Sequence, residues 1–253
     1  MTPPPDQDWN ARPTGAGSLL ATAKLPKLEI TLRLPDILRG LGYPQDTAPS
    51  QPVIESVERL MGEAGDYLRP RGTYSLYVPA AWTDRSLNLG GATIAGNVRE
   101  FFRGARRIAV FMVTVGDEIT QQATMRDKAG DAFAGRVLDI AGSWAAELTA
   151  QALTTHLASH LGPDESFTQR HSPGFCGMEL AQQRVLFRLV PADAIGITLL
   201  PSLFMHPLKS MSGLIGLGPR AEVGEHLSPC EPCPLVDCPM RQQESDGLLR
   251  AGS

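Results

Sequence analysis

The order of segments along this sequence predicts an α+β domain. RRIAVFMVTVG (106–116) is a mostly apolar run with β-branched residues, closed by Gly116, and reads as a buried strand. From about Asp131 to Leu161 an apolar stripe recurs at three- and four-residue steps through Val137, Ile140, Ala141, Trp144, Leu148 and Ala152, which reads as a long helix. Around these two, strand-like and helix-like segments alternate irregularly. The order is neither a series of βαβ repeats nor an all-β meander, which leaves α+β.

Taken in order, residues 1–24 are rich in Pro, Gly, Ala and Thr and are expected to form a disordered arm. LEITLRL (28–34) alternates with period two and reads as a strand stopped by Pro35, followed by a short helical turn over 36–42. TYSLYVP (73–79) alternates again, with Tyr74, Leu76 and Val78 on one face. A helix is expected from about Asp117 to Arg126 and the long one from 131 to 161, where Gly162-Pro163 supplies the stop. A further helix is predicted over 179–190, and GITLLPS (196–202) reads as a strand running into a loop. The domain is expected to span 25–240, with 241–253 a frayed tail.

Composition narrows the function classes. Hydrophobic residues make up 42% of the 253, enough to bury a sizeable core. The net charge is −4, without a basic stripe to neutralise phosphates, so nucleic-acid binding is not expected. The first residues lack the basic and apolar regions of a secretory signal, and no apolar run approaches the ~18 residues of a membrane span. The expectation is a cytoplasmic protein without membrane association, whose cysteines are metal ligands or redox groups rather than disulfides.

Three motifs carry chemistry. Arg170–Gly177 (RHSPGFCG) joins two helical segments; Pro173 fixes φ, and Gly174 admits conformations closed to other residues. Arg170 offers a bidentate fork to a carboxylate, and Phe175 a face to a ring or a sulfonium. Such a turn is also a common connector without a ligand. Ser202–Gly218 is a glycine- and serine-rich loop with one cation, Lys209. It contains no phosphate-loop motif, and its GLIGLG does not follow the strand that a dinucleotide fingerprint requires. Cys230, Cys233 and Cys238 form CxxCxxxxC, and the remaining cysteine is Cys176 in the first loop. Four thiolates suit tetrahedral zinc or an iron–sulfur cluster, and the spacing does not choose between them.

These residues resemble the reactivation domain of cobalamin-dependent methionine synthase, and more closely its shorter stand-alone relatives. That family's S-adenosylmethionine signature is Arg-x-x-Pro-Gly-Tyr; Arg170, Pro173 and Gly174 match, and Phe175 lacks the tyrosine hydroxyl. LPDILRGLGY (34–43), VTVGDEI (113–119), IGITLLPS (195–202) and PLKSMSG (207–213) are similar to family segments, as is the cysteine-rich end. The resemblance covers roughly 25–240 and is most specific in the C-terminal third. It implies a twisted antiparallel sheet flanked by helices, with a cysteine-rich metal-binding segment at the C-terminal end.

The resemblance also implies a role: returning an oxidised corrinoid, held by a partner methyltransferase or corrinoid protein, to its methylated form with S-adenosylmethionine and one electron. The electron would come from a flavodoxin- or ferredoxin-like donor. The catalytic modules of methionine synthase are absent, so the chain itself does not make methionine. Arg170 would bind the methionine carboxylate, and Ser172, Pro173, Gly174 and Phe175 the rest of the ligand, with Lys209 and Ser210 completing the site. The methyl must lie in line with the metal, so the protein acts by positioning, and no catalytic acid or base is expected. If Cys176 joins Cys230, Cys233 and Cys238 around one [4Fe–4S] cluster, the cluster would lie beside the methyl donor. The competing reading is a non-catalytic, metal-knotted accessory that docks a corrinoid or methyltransferase subunit. His171 and His206 flank the two loops; core or surface histidines are the commoner outcome. Trp144, on the helix stripe, is expected in the core.

Overall fold

The computed structural model describes residues 17–43, 49–175 and 177–223. In chain order the elements are β1 (Leu19–Leu25), α1 (Leu34–Gly40), α2 (Gln51–Tyr67), β2 (Arg71–Tyr77), β3 (Ala81–Trp82), β4 (Ser86–Leu89), β5 (Ala92–Ala95) and α3 (Val98–Phe101). They continue with β6 (Arg107–Thr114), α4 (Glu118–Lys128), α5 (Ala132–Ala158), β7 (Glu165–Phe167), α6 (Gln183–Leu189), β8 (Thr198–Leu199), β9 (Met205–His206), β10 (Ser210–Pro219) and α7 (Arg220–Val223). The class is α+β, as predicted.

The main sheet runs β1-β2-β6-β10-β7, and every neighbouring pair is antiparallel. Strand β6 shows why its sequence is almost continuously apolar. Ile108, Val110 and Met112 pack with the β3-β4-β5 meander and α6, while Ala109, Phe111 and Val113 pack beneath α5. Period two is kept, but both faces are buried, so no polar face shows. Helix α5 is capped by the Asp131 side chain, which accepts from the Ala134 N–H at 3.1 Å. Its first half, through Val137, Ala141 and Trp144, packs with α1, α2 and α4, and its second half, through Ala150, Leu153 and Leu157, lies on the sheet. Trp144 is in the core, as expected.

Several elements depart from the sequence reading. Residues 19–24, expected in the arm, form most of β1 and pair with β2. Because β1 takes the place beside β2, residues 28–33 form no strand. Their alternating Ile30 and Leu32 pack on the helical layer instead, and α1 begins at Leu34. Helix α2 and the meander were not foreseen. Residues 1–16 of the arm, the tail over 241–253 and all four cysteines lie outside the described residues.

The largest correction concerns Ser202–Gly218. Its second half is not a loop but the strand β10, which lies between β6 and β7 in the sheet and pairs with β6 from Ser210↔Thr114 to Leu217↔Arg107. The glycines serve close approach. A Cβ on Gly213 would lie 2.7 Å from the His171 carbonyl oxygen, one on Gly216 2.8 Å from the Ala105 Cβ, and one on Gly218 2.4 Å from the Gly104 carbonyl oxygen. Gly213→Ala and Gly218→Ala should each destabilise the fold by about 1–3 kcal/mol through overpacking. Gly62→Ala, at an exposed position of α2 with nothing near the new Cβ, should stabilise it by about 0.5–1 kcal/mol. Urea unfolding of the three variants checks both signs.

Candidate functional site

The signature loop is placed by the strand beside it. After β7 the chain continues along β10: Thr168 N–H donates to the Gly216 carbonyl at 2.8 Å, and His171 and Leu214 exchange backbone hydrogen bonds of 3.0 and 2.8 Å. Pairing with Leu214 turns the His171 side chain to the meander face, where its ring stacks on Phe101 at 3.9 Å between centroids. Arg170, one residue earlier, therefore faces α5 and forms an ion pair with Glu147. Its Nη1 is buried and has no partner among the described residues.

Beyond His171 the chain leaves β10 and folds into a tight loop. Phe175 N–H donates to the Ser172 carbonyl at 3.2 Å, and Gly174 N–H to the Met178 carbonyl at 2.8 Å. Gly174 and Gly177 hold φ of 92° and 82°, the left-handed region open to glycine. The meander braces the loop from behind: a Cβ on Gly177 would lie 2.8 Å from the Asn97 Nδ2, and one on Gly96 2.9 Å from the Gly177 carbonyl oxygen. Phe175 at the loop tip is 60% exposed.

The loop's departure uncovers the outer edge of β10. Leu214 directs both backbone groups to that edge, so by alternation Ser212 and Ser210 do the same. A groove of about 200 Å³ opens there, and Ser172, Pro173, Phe175 and Ser210, all singled out in the sequence, line it. Gly174 shapes the turn without lining the groove. Arg170 stands outside this lining, on the α5 face. Lys209 is drawn to α5 as well: its Nζ donates to Asp139 Oδ1 at 2.6 Å and Ser143 Oγ at 2.8 Å. Asp139, Ser143 and Glu147 follow at four-residue steps, so one face of α5 holds both cations of the two motifs. That spacing was visible in the sequence but was masked by the apolar stripe around it.

Sequence reasoning also missed Gln183, Ser212 and Phe204. Gln183 and Ser212 are buried groove residues joined by a 2.6 Å hydrogen bond from the Ser212 hydroxyl to Gln183 Oε1. Phe204, 60% exposed, faces the groove from the turn between β8 and β9. His206 is exposed on β9. A larger cavity, about 770 Å³, lies beside α3 and α7, where Arg99, Arg103 and Arg106 are matched by Asp84, Glu100 and Glu222. Among the described residues, no group of three or more His, Cys, Asp or Glu side chains could hold a metal. No described helix is long and apolar enough to cross a membrane.

Burial holds the His171 imidazole neutral, with its pKa pushed down to about 4 from 6.5. The unfolded chain therefore binds the proton first. Stability from this group is complete above pH 6.5 and is lost as pH falls from 6.5 through about 4, by about 3 kcal/mol. His156, also lowered by burial and by His160, acts in the same direction in wild type and variant alike. His171→Phe should flatten the stability profile over this window, as read from urea midpoints at pH 7, 5.5 and 4.

No protein-family model and no curated protein matches the sequence. Among solved structures, the MetH reactivation domain bound to AdoHcy matches with a TM-score of 0.56 and 16% identity over 86% of each chain. The chain has the fold of the MetH reactivation domain.

Proposed function

We propose that this chain binds S-adenosylmethionine at the Arg170–Phe175 loop and delivers its methyl group to an oxidised corrinoid on a partner protein during reductive reactivation. The observation that carries this reading is Arg170 itself. One of its terminal nitrogens is fixed by Glu147, while the other is buried without a partner among the described residues. A buried donor left unpaired costs about 1–3 kcal/mol. A ligand carboxylate is the acceptor a guanidinium fork fits. Glu147 at the same point offers a carboxylate to the ligand's ammonium group. The fold likeness supports the same ligand class, since the matching domain is described with AdoHcy bound.

The chain's own residues act by placement. Arg170 and Glu147 fix the amino-acid end, and the stiff loop and the exposed edge of β10 hold the remainder. The methyl donor supplies the carbon; one electron from a flavodoxin- or ferredoxin-like donor and the partner's corrinoid complete the reaction. The four cysteines, outside the described residues, are proposed to hold a [4Fe–4S] cluster that relays the electron. Zinc is the alternative, and with it the cysteines would be structural.

Calorimetric titration with S-adenosylhomocysteine tests the reading. Wild type should bind, and Arg170→Leu should weaken binding about 10- to 100-fold while keeping a cooperative unfolding transition. Absence of binding by wild type would end the proposal. A second assay supplies free cob(II)alamin, titanium(III) citrate and S-adenosylmethionine; wild type should speed methylcobalamin formation over the protein-free control, and Arg170→Leu should not. Anaerobic purification with iron, sulfide and zinc analysis addresses the cysteines: about four irons and four sulfides per chain support the cluster, and one zinc without iron removes the electron relay.

A further inference from the structure

The groove is selective in what it lacks. Among the described residues no charged one lines it, so it does not suit the carboxylate or the ammonium of the proposed ligand. Those charged groups belong near Arg170 and Glu147, around the edge of β10. The part left for the groove is flat and neutral. At about 200 Å³ the space falls below the ~300–1,000 Å³ of sites that enclose a whole ligand, and it suits one heterocycle. Phe175 and Phe204 border it and are each 60% exposed, offering faces on which a ring can stack.

Into this apolar setting the structure places one oriented amide. Gln183 is 4% exposed and lines the groove. Its Oε1 accepts from the Ser212 hydroxyl at 2.6 Å, which fixes the amide plane from β10 and leaves the Nε2 hydrogens to be donated. Among the described residues none accepts from Nε2. The neighbouring Gln182 is held separately, its Oε1 accepting from the Ala95 N–H at 3.0 Å, so the start of α6 is anchored on both sides.

We infer that Gln183 is a specificity-determining residue that donates from Nε2 to a ring nitrogen of the adenine of S-adenosylmethionine, with Ser212 as its positioning residue. This rests on the proposed function and adds to it the part of the ligand that the groove reads. Burial makes the contact selective: a ligand with a carbon in place of that nitrogen leaves the amide unpaired away from water.

The test is a set of titrations with S-adenosylhomocysteine and its 1-deaza, 3-deaza and 7-deaza analogues, each of which replaces one ring nitrogen by C–H. One analogue should bind wild type about 10- to 100-fold more weakly than the parent ligand, and the other two should bind nearly as well. In Gln183→Leu the parent ligand should weaken by a similar factor, and that one analogue should lose no more. This non-additivity marks a direct contact. Gln183→Glu should weaken the parent ligand at least as much, because a carboxylate cannot donate to a ring nitrogen. Ser212→Ala should give a smaller loss. Cooperative unfolding of each variant confirms that it folds, and Gln183→Glu serves if the leucine variant does not. Equal loss for all three analogues, or the same analogue penalty in wild type and variant, would overturn the inference while leaving ligand binding intact. Wild type that binds no S-adenosylhomocysteine would overturn the proposed function and this inference together.

Discussion

The structure turns on how closely the chain can lie against β10. Residues 168–171 run along its outer edge, and Gly213 and Gly216 leave the room they need: side chains there would meet the His171 carbonyl oxygen and Thr168 at 2.7 and 2.9 Å. The backbone pairing of His171 with Leu214 then fixes the register of the segment. In a strand a single step in register sends each side chain to the opposite face. With this register, Arg170 meets Glu147 above the sheet and His171 meets Phe101 below it. Larger side chains at these glycines would push the segment away and uncouple the two contacts that hold the signature loop.

The two contacts have different physical characters. Arg170 and Glu147 form a charged pair in which Arg170 Nη1 is without a partner among the described residues, an arrangement that is expensive to bury unless further hydrogen bonds complete it. His171 is held by an aromatic stack and by the exclusion of water, which keeps it uncharged near neutrality. The loop is thus anchored by an apolar contact on one side, leaving the polar contact on the other for chemistry. The meander supplies the remaining support through the close approach of Gly96 and Asn97 to Gly177. It is built of very short strands, yet it braces the segment on which the proposed ligand depends.

The sequence made the loop legible because its information is local. Arg170, Pro173 and Gly174 are adjacent, and the conformations of Pro and Gly follow from covalent geometry alone. The strands with period-two or continuous apolar character, β2 and β6, and the long helix α5 were legible for the same reason. Strand β10 was not, because its glycines answer to distant residues 104, 105, 168 and 171. Residues 28–33 misled for the converse reason: their alternation is genuine, but the edge they would have joined is filled by β1. Glu147 and Gln183 share this limit. Each is one polar residue on a helix, and only the tertiary contacts with Arg170 and Ser212 separate them from the other polar residues.

A site that hands a methyl group to a metal held by another protein faces two opposing demands. It must fix the donor closely, because displacement of the reacting carbon by about 1 Å costs orders of magnitude in rate. It must also leave that carbon uncovered. An enclosed pocket meets the first demand and fails the second. Here the fixed groups, Arg170, Glu147, Gln183 and Ser212, are on or against α5, α6 and β10, whereas the groove's mouth carries the exposed Phe175, Phe204 and Leu208. Apolar side chains concentrated at one opening are unfavourable in water and become favourable when a second surface covers them. Under the proposed function that surface is the partner with its corrinoid. Covering the rim would also exclude water from the transfer, so a shallow groove that is only partly closed in the free protein becomes a closed site when the partner arrives.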